Sequence, residues 1–167
     1  MECYNQRVNH LYLLTLEIEP LEIGKVYDEL PSHLTLMSRF LSDLAPRGVS
    51  DIIRPVLETA DNIKLTFGST IELGPKKVTA HMVDSPEEKL LHERLRVALE
   101  KVGAIFQYPQ FIGANHRAHV TQRDRMDFSP KSRLVSSAAY LIEVVDGQRI
   151  IRSRFNLANF SSGIMEL

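Results

Sequence analysis

Two short stretches of the sequence share a pattern that could do chemistry: His33-Leu34-Thr35-Leu36 and His119-Val120-Thr121-Gln122, 86 positions apart. In an extended strand side chains alternate between faces, so each His and its Thr share one face about 7 Å apart, while Leu34, Leu36 and Val120 turn to the other. Each stretch therefore pairs a titratable imidazole with a hydroxyl. Two such pairs facing each other across a cleft suit an in-line displacement at phosphorus. One neutral imidazole takes a proton from the attacking water or hydroxyl, and one imidazolium gives a proton to the leaving oxygen. The threonine hydroxyls would donate to the non-bridging oxygens, where charge builds in the transition state. Nothing in this scheme asks for a metal or a cofactor. Composition alone gives about 0.25 His-x-Thr matches by chance, so two are suggestive, and two strand histidines satisfied by neighbouring hydroxyls stand as the plain alternative.

The elements that would have to position these residues are mostly strands. Alternating or branched-rich runs predict strands over 10–18, 33–40, 63–72, 77–83, 117–123, 134–145 and 149–158. The last two flank Asp146-Gly147, a dipeptide favoured in two-residue hairpins because both positions accept positive φ. A helix is predicted over 86–102, with Ser85 as N-cap, Pro86 at the first position and Glu88 able to reach back in a capping box. Its apolar stripe would hold Leu90, Leu91, Leu95, Ala98, Leu99 and Val102, and Gly103 would stop it. A second helix around 50–60 carries Ile52, Ile53, Val56, Leu57 and Ala60, with Pro55 inside it. Helices spread among more numerous strands predict an α+β class, a mostly antiparallel sheet covered by helices.

The chain's 167 residues suit one domain, here 1–167, large enough to bury a core. A hydrophobic fraction of 44% and a charged fraction of 25% exclude a disordered or collagen-like chain. A net charge of −1 excludes bulk electrostatic binding to nucleic acid, so any nucleic-acid ligand must be read locally. Charge is uneven, however: 17–29 sums to −4 and 113–133 to +3, with His116 and His119 added, which places an anion at the second stretch. Cys3 is the one cysteine, which fits a reducing compartment. No basic segment followed by an apolar one opens the sequence, and the apolar run 11–16 is too short to span a bilayer. A cytoplasmic, membrane-free monomer is therefore expected.

The sequence resembles the 2H phosphoesterase superfamily, which includes 2′-5′ RNA ligases and cyclic nucleotide phosphodiesterases and is defined by two H-x-T/S-x motifs. The likeness extends beyond the motifs. Leu30-Pro31-Ser32 leads into the first; the stretch from Lys77 to Val83 and the helix 85–102 precede the second half; and Phe111-Ile112-Gly113-Ala114-Asn115-His116-Arg117-Ala118 approaches the second motif. Two departures stand out: Ala118 where proline is frequent, and Gln122 where an apolar residue is usual. The resemblance implies two pseudo-symmetric lobes of mostly antiparallel sheet with outer helices and a central cleft. It also implies metal-independent action on a 2′,3′-cyclic phosphate or 2′-5′ phosphodiester of a nucleotide or RNA end, with His33 and His119 as acid and base and Thr35 and Thr121 on phosphate. A module that binds a nucleotide or RNA end in the same cleft without turnover is the alternative, although a binder has no need of two proton-transfer groups.

Arg117 and Arg123 share the strand parity of His119 and Thr121 and, if the strand is regular, point into the cleft as candidates for phosphate contact. Arg39 shares the parity of His33, but six residues of strand span about 20 Å. Tyr108 and Phe111 could stack on a base or fill the core beneath their loop. His10 and Tyr12 are expected to be ordinary strand contacts and could instead border the cleft. His81 lies on a strand face with Lys77 and Thr79 and without nearby carboxylates or cysteine, so no metal site is expected there. His92, among charged neighbours on the helix, is expected to be solvated.

Overall fold

The computed structural model describes residues 8–121 and 128–158. In chain order it places β1 (His10–Glu17), β2 (Val26–Tyr27), β3 (His33–Ser42), α1 (Pro46–Glu58), β4 (Ile63–Leu73), β5 (Val78–Asp84) and α2 (Pro86–Lys101). β6 (Ile105–Phe106), β7 (His119–Thr121), β8 (Arg133–Ser136), β9 (Ala138–Val145) and β10 (Gln148–Asn156) follow. The strands form one sheet in the order β2-β10-β9-β1-β3-β7-β5-β4-β8, with β6 added on β3, and every pairing between these strands is antiparallel. Two halves meet at β3 and β7, the two strands that carry the repeated pattern.

Both helices cover one face of this sheet. α1 lies on β9 and β10, α2 on β3 and β4, and the helices touch each other. Beneath them Leu34, Leu36, Phe40 and Val120 join Ile53, Leu57, Leu91, Leu95 and Leu99 in the main core. A smaller cluster of Leu13, Leu21, Leu30, Tyr140, Ile142 and Ile151 fills the other face of the first half, under the segment that contains β2. β1 is thus covered on both sides, which explains its nearly unbroken apolar run.

The hairpin forms as the Asp146-Gly147 dipeptide predicts, with φ of 50° and 77° at the two turn residues. α1 starts at Pro46, earlier than expected, because proline fits the first helical position; Pro55 faces solvent and removes only one hydrogen bond. The expected strand 134–145 is broken at Ser137 into β8 and β9, which pair with β4 and β1 respectively. β7 begins at His119, two residues into the expected 117–123, and residues 122 and 123 of that run lie outside the described residues.

α2 corrects the sequence reading at three residues. Ser85 caps it, its Oγ accepting the Glu88 N–H at 3.2 Å. The Glu88 side chain does not reach back to complete a capping box; it is fully buried and accepts from His116 Nε2. Leu90 is 63% exposed, whereas His92, expected in solvent, is buried. The buried stripe runs through positions 88, 91, 92, 95 and 99, and His92 can occupy it because both of its ring nitrogens find partners there.

Leu34 lies at the meeting of the halves with no exposed surface. Leu34→Ala should lower stability by about 2–5 kcal/mol in urea denaturation. A loss below about 1 kcal/mol would contradict the packing of the sheet centre.

Candidate functional site

Across the junction the pairing is antiparallel, with Leu34 opposite Val120. Residues directly opposite in such a ladder project to the same face. The register therefore sets His33 across from Thr121 and Thr35 across from His119, all four on the face turned away from the helices. The two histidines are diagonal neighbours, about 7–8 Å apart along the backbone. A phosphoryl group can fill that gap with a hydrogen bond on either side. Burial follows the same alternation: Leu34, Leu36 and Val120 are buried, while the two His and two Thr are half-buried.

Each imidazole is held in the same way. His33 Nδ1 lies 2.7 Å from the Pro31 carbonyl and His119 Nδ1 lies 2.9 Å from the Arg117 carbonyl, in both cases the residue two positions earlier. A carbonyl only accepts, so Nδ1 carries the proton in both rings. Nε2 is left for the open face, as acceptor when the ring is neutral and as donor when it is charged.

The surroundings of the two pairs differ. Thr35 and His119 border a cavity of about 600 Å³, whose wall includes Ile71, Leu73, Met82 and Phe111 along with His116 and Arg117. His33 and Thr121 border a hollow of about 410 Å³ with Asp28, Glu29, Leu30 and Arg149. Arg149 donates to the Asp28 carbonyl, which holds its side chain over the β2 edge. Burial pushes the His33 pKa below its ordinary value of 6.5; the Pro31 hydrogen bond opposes this, and the charges of His119 and Arg149 add to it. An anionic ligand beside the ring would oppose that shift.

Of the residues singled out from the sequence, His33, Thr35, His119, Thr121 and Arg117 converge here. Phe111, 56% exposed, stands on the rim of the larger cavity; Tyr108 is also exposed, 6.3 Å from Phe111 between ring centres, and does not line the cavity. Arg123 and Gln122 lie outside the described residues. At Ala118 it is the carbonyl that is used, accepting from Val83 N–H at 3.0 Å, and proline would offer the same acceptor. Arg39 lines neither hollow: β3 shifts register twice against β1 beyond Thr35, so the simple parity does not carry that far. Tyr12 is fully buried with its hydroxyl on the Leu44 carbonyl, and His10 binds Glu143 at 3.0 Å. His81 is buried edge-on to Phe128 and Phe67. Among the described residues no group of three or more His, Cys, Asp or Glu could hold a metal.

Two contributors escaped the sequence reading. Arg149 reaches the site from β10, 116 positions after His33, and no local pattern marks it. His116 had a visible signal, its place in the approach to the second motif, but no period assigns its direction because that approach is two single 3₁₀ turns, Pro109–Phe111 and Gly113–Asn115.

The sequence matches no protein-family model and no curated protein. Solved structures do match. A crystal structure described as a phosphoesterase aligns with TM-score 0.57 and 12% identity over 90% of this chain and 99% of that one. E. coli LigT complexed with 3′-AMP gives TM-score 0.57 and 13% identity over the same shares. TT0787 of Thermus thermophilus gives 0.52 and 15% over 89% and 97%. The chain has a LigT-like fold. In this LigT-like fold the repeated motifs occupy the two strands at the centre of the sheet, where the halves join.

Burial of neutral histidine has a measurable sign. In the unfolded chain His33 and His92 protonate near 6.5, in the folded chain only at lower pH. The unfolded state therefore binds more protons just below that value, and stability should fall as pH drops from about 7 towards 5. Urea midpoints across that range check this; a midpoint that rises on acidification would contradict it.

Proposed function

We propose that the protein is a metal-independent phosphoesterase that acts on 2′,3′-cyclic phosphates or 2′-5′ phosphodiesters of nucleotides or RNA ends. One observation carries the reading: the Leu34–Val120 pairing, which sets two identically tethered imidazoles diagonally across one open face with a threonine opposite each. The fold supports it at the level of a phosphoesterase. A LigT structure that holds 3′-AMP supports a nucleotide as the kind of ligand.

In hydrolysis of a cyclic phosphate, water forms the new P–O bond while one ribose oxygen leaves in line. The water's proton passes to Nε2 of one histidine, and Nε2–H of the other protonates the leaving oxygen. Thr35 and Thr121 donate to the non-bridging oxygens, and Arg117 adds positive charge at the edge of the larger cavity. The apolar wall of Ile71, Leu73, Met82 and Phe111 suits a nucleobase on that side, with Phe111 as the stacking surface.

His33→Ala and His119→Ala should each lower turnover of a 2′,3′-cyclic nucleotide by about 10²–10⁴. Thr35→Ala and Thr121→Ala should cost less, because each removes one contact among several. The rate should rise and fall around a maximum near neutral pH, since one ring must be neutral and the other charged, and a chelator should leave it unchanged. Full activity in either histidine variant, or strong inhibition by a chelator, would overturn the proposal. Affinity for nucleotides with no product at any pH would establish a binding module instead.

A further inference from the structure

His92 joins the strand of the first motif to the approach of the second through a single ring. It is 2% exposed, and its Nδ1 lies 2.7 Å from the carbonyl of Leu36, the residue after Thr35 in β3. Because that carbonyl only accepts, Nδ1 holds the proton and Nε2 is bare. Nε2 accepts the N–H of Gly113 at 2.9 Å. Gly113, with φ of 73°, opens the turn whose carbonyl accepts from His116 N–H at 3.0 Å. Four residues after Gly113 comes Arg117, whose carbonyl holds His119. One imidazole thus hydrogen-bonds to the strand of the first motif and to the approach of the second.

The ring is backed on one side. His116 stacks on His92 with centroids 3.8 Å apart and planes 3° from parallel. His116 Nε2–H in turn donates to Glu88 Oε1 at 2.5 Å, and Glu88 is fully buried. His116 also lines the larger cavity beside His119. A buried carboxylate and two buried or nearly buried imidazoles are costly to desolvate, and apolar residues would fill the same volume more simply.

We propose that His92 is a positioning residue: with His116 and Glu88 behind it, it sets the separation of Thr35 from the Arg117–His119 segment and so the width of the phosphoryl site. This rests on the reading of the two motifs as one such site. The device is acid-sensitive, because a proton on Nε2 would face the Gly113 N–H and break that contact. The charged and titratable groups around His92 are Glu88, Lys89, Glu93 and Arg96 on its own helix and His116 from the approach; β3 presents the Leu36 carbonyl. Burial holds the His92 pKa below 6.5, the Leu36 bond works against this, His116 adds to it, and Glu88 and Glu93 oppose it.

The test uses ¹⁵N-labelled full chain, with inorganic phosphate as the probe. In the wild type, long-range ¹H–¹⁵N spectra should show His92 protonated at Nδ1 and bare at Nε2 at neutral pH. His92→Phe keeps a ring against His116 and removes both hydrogen bonds. Amide exchange at Gly113 should then quicken about tenfold or more, phosphate affinity should fall by about tenfold, and the His119 ring resonances should shift. His92→Gln, whose side-chain carbonyl can still accept from Gly113, should recover part of each effect and serves if the Phe variant does not fold. A wild-type His92 protonated at Nε2 would overturn the proposal. So would variants that lose thermal stability while Gly113 exchange, His119 resonances and phosphate affinity stay unchanged, since a purely structural residue behaves that way. A wild type that binds no phosphate and turns over no cyclic nucleotide would refute the phosphoesterase reading; Gly113 exchange and the His119 resonances would still decide the role of His92.

Discussion

The Leu34–Val120 pair is the constraint on which the arrangement depends. Among the described residues it is the one pairing between β3 and β7, and through it two half-sheets become one. Side chains in a strand repeat every two residues, so a slip of one residue here would turn the histidine of the slipped strand into the core and its apolar partner into solvent. Leu34 and Val120, packed under the helices, oppose that slip by the full free energy of their burial. The apolar positions of the motif thus fix the direction of its polar ones. The geometry of the candidate site and the packing of the core are enforced by the same four-residue pattern.

The carbonyl contacts of Pro31 and Arg117 complete the constraint. An imidazole on a strand can rotate about its side-chain bonds and exchange tautomers; a carbonyl two residues back removes both freedoms at the cost of one local hydrogen bond. The acceptor is backbone, so the tether moves with the strand and survives any substitution that keeps the strand's course. The tether is thereby independent of neighbouring side chains.

Much of this was legible in the sequence because it is local. Strand alternation gave the directions of His33, Thr35, His119 and Thr121, and Ser85-Pro86 and Asp146-Gly147 marked a helix start and a turn through their own backbone preferences. What stayed hidden is what depends on distant backbone. His92 looks like a surface histidine until the Leu36 carbonyl and Gly113 N–H, 56 and 21 positions away, are brought to it. Glu88 looks like a cap until His116 arrives. Arg149 enters the smaller hollow only because β10 pairs with β2 at Tyr27. Arg39 shows the opposite error, a local rule extended past register shifts that only the partner strand reveals.

The two motifs share His-x-Thr and are unequal in place. Nothing in His-x-Thr-x tells one ring from the other, and the tethers are alike. The difference comes from the walls: apolar side chains and Phe111 beside His119, and Asp28, Glu29 and Arg149 beside His33. A ligand with an aromatic part on one flank of its phosphorus and a polar part on the other gains from one orientation and loses from the reverse, because the reverse leaves polar groups against Ile71 and Leu73. Under the proposed in-line chemistry the direction of attack follows that orientation, so the walls, rather than the motifs, would assign which imidazole receives the proton and which gives one up. The pseudo-symmetry supplies two interchangeable groups, and the asymmetric hollows around them make the roles unequal.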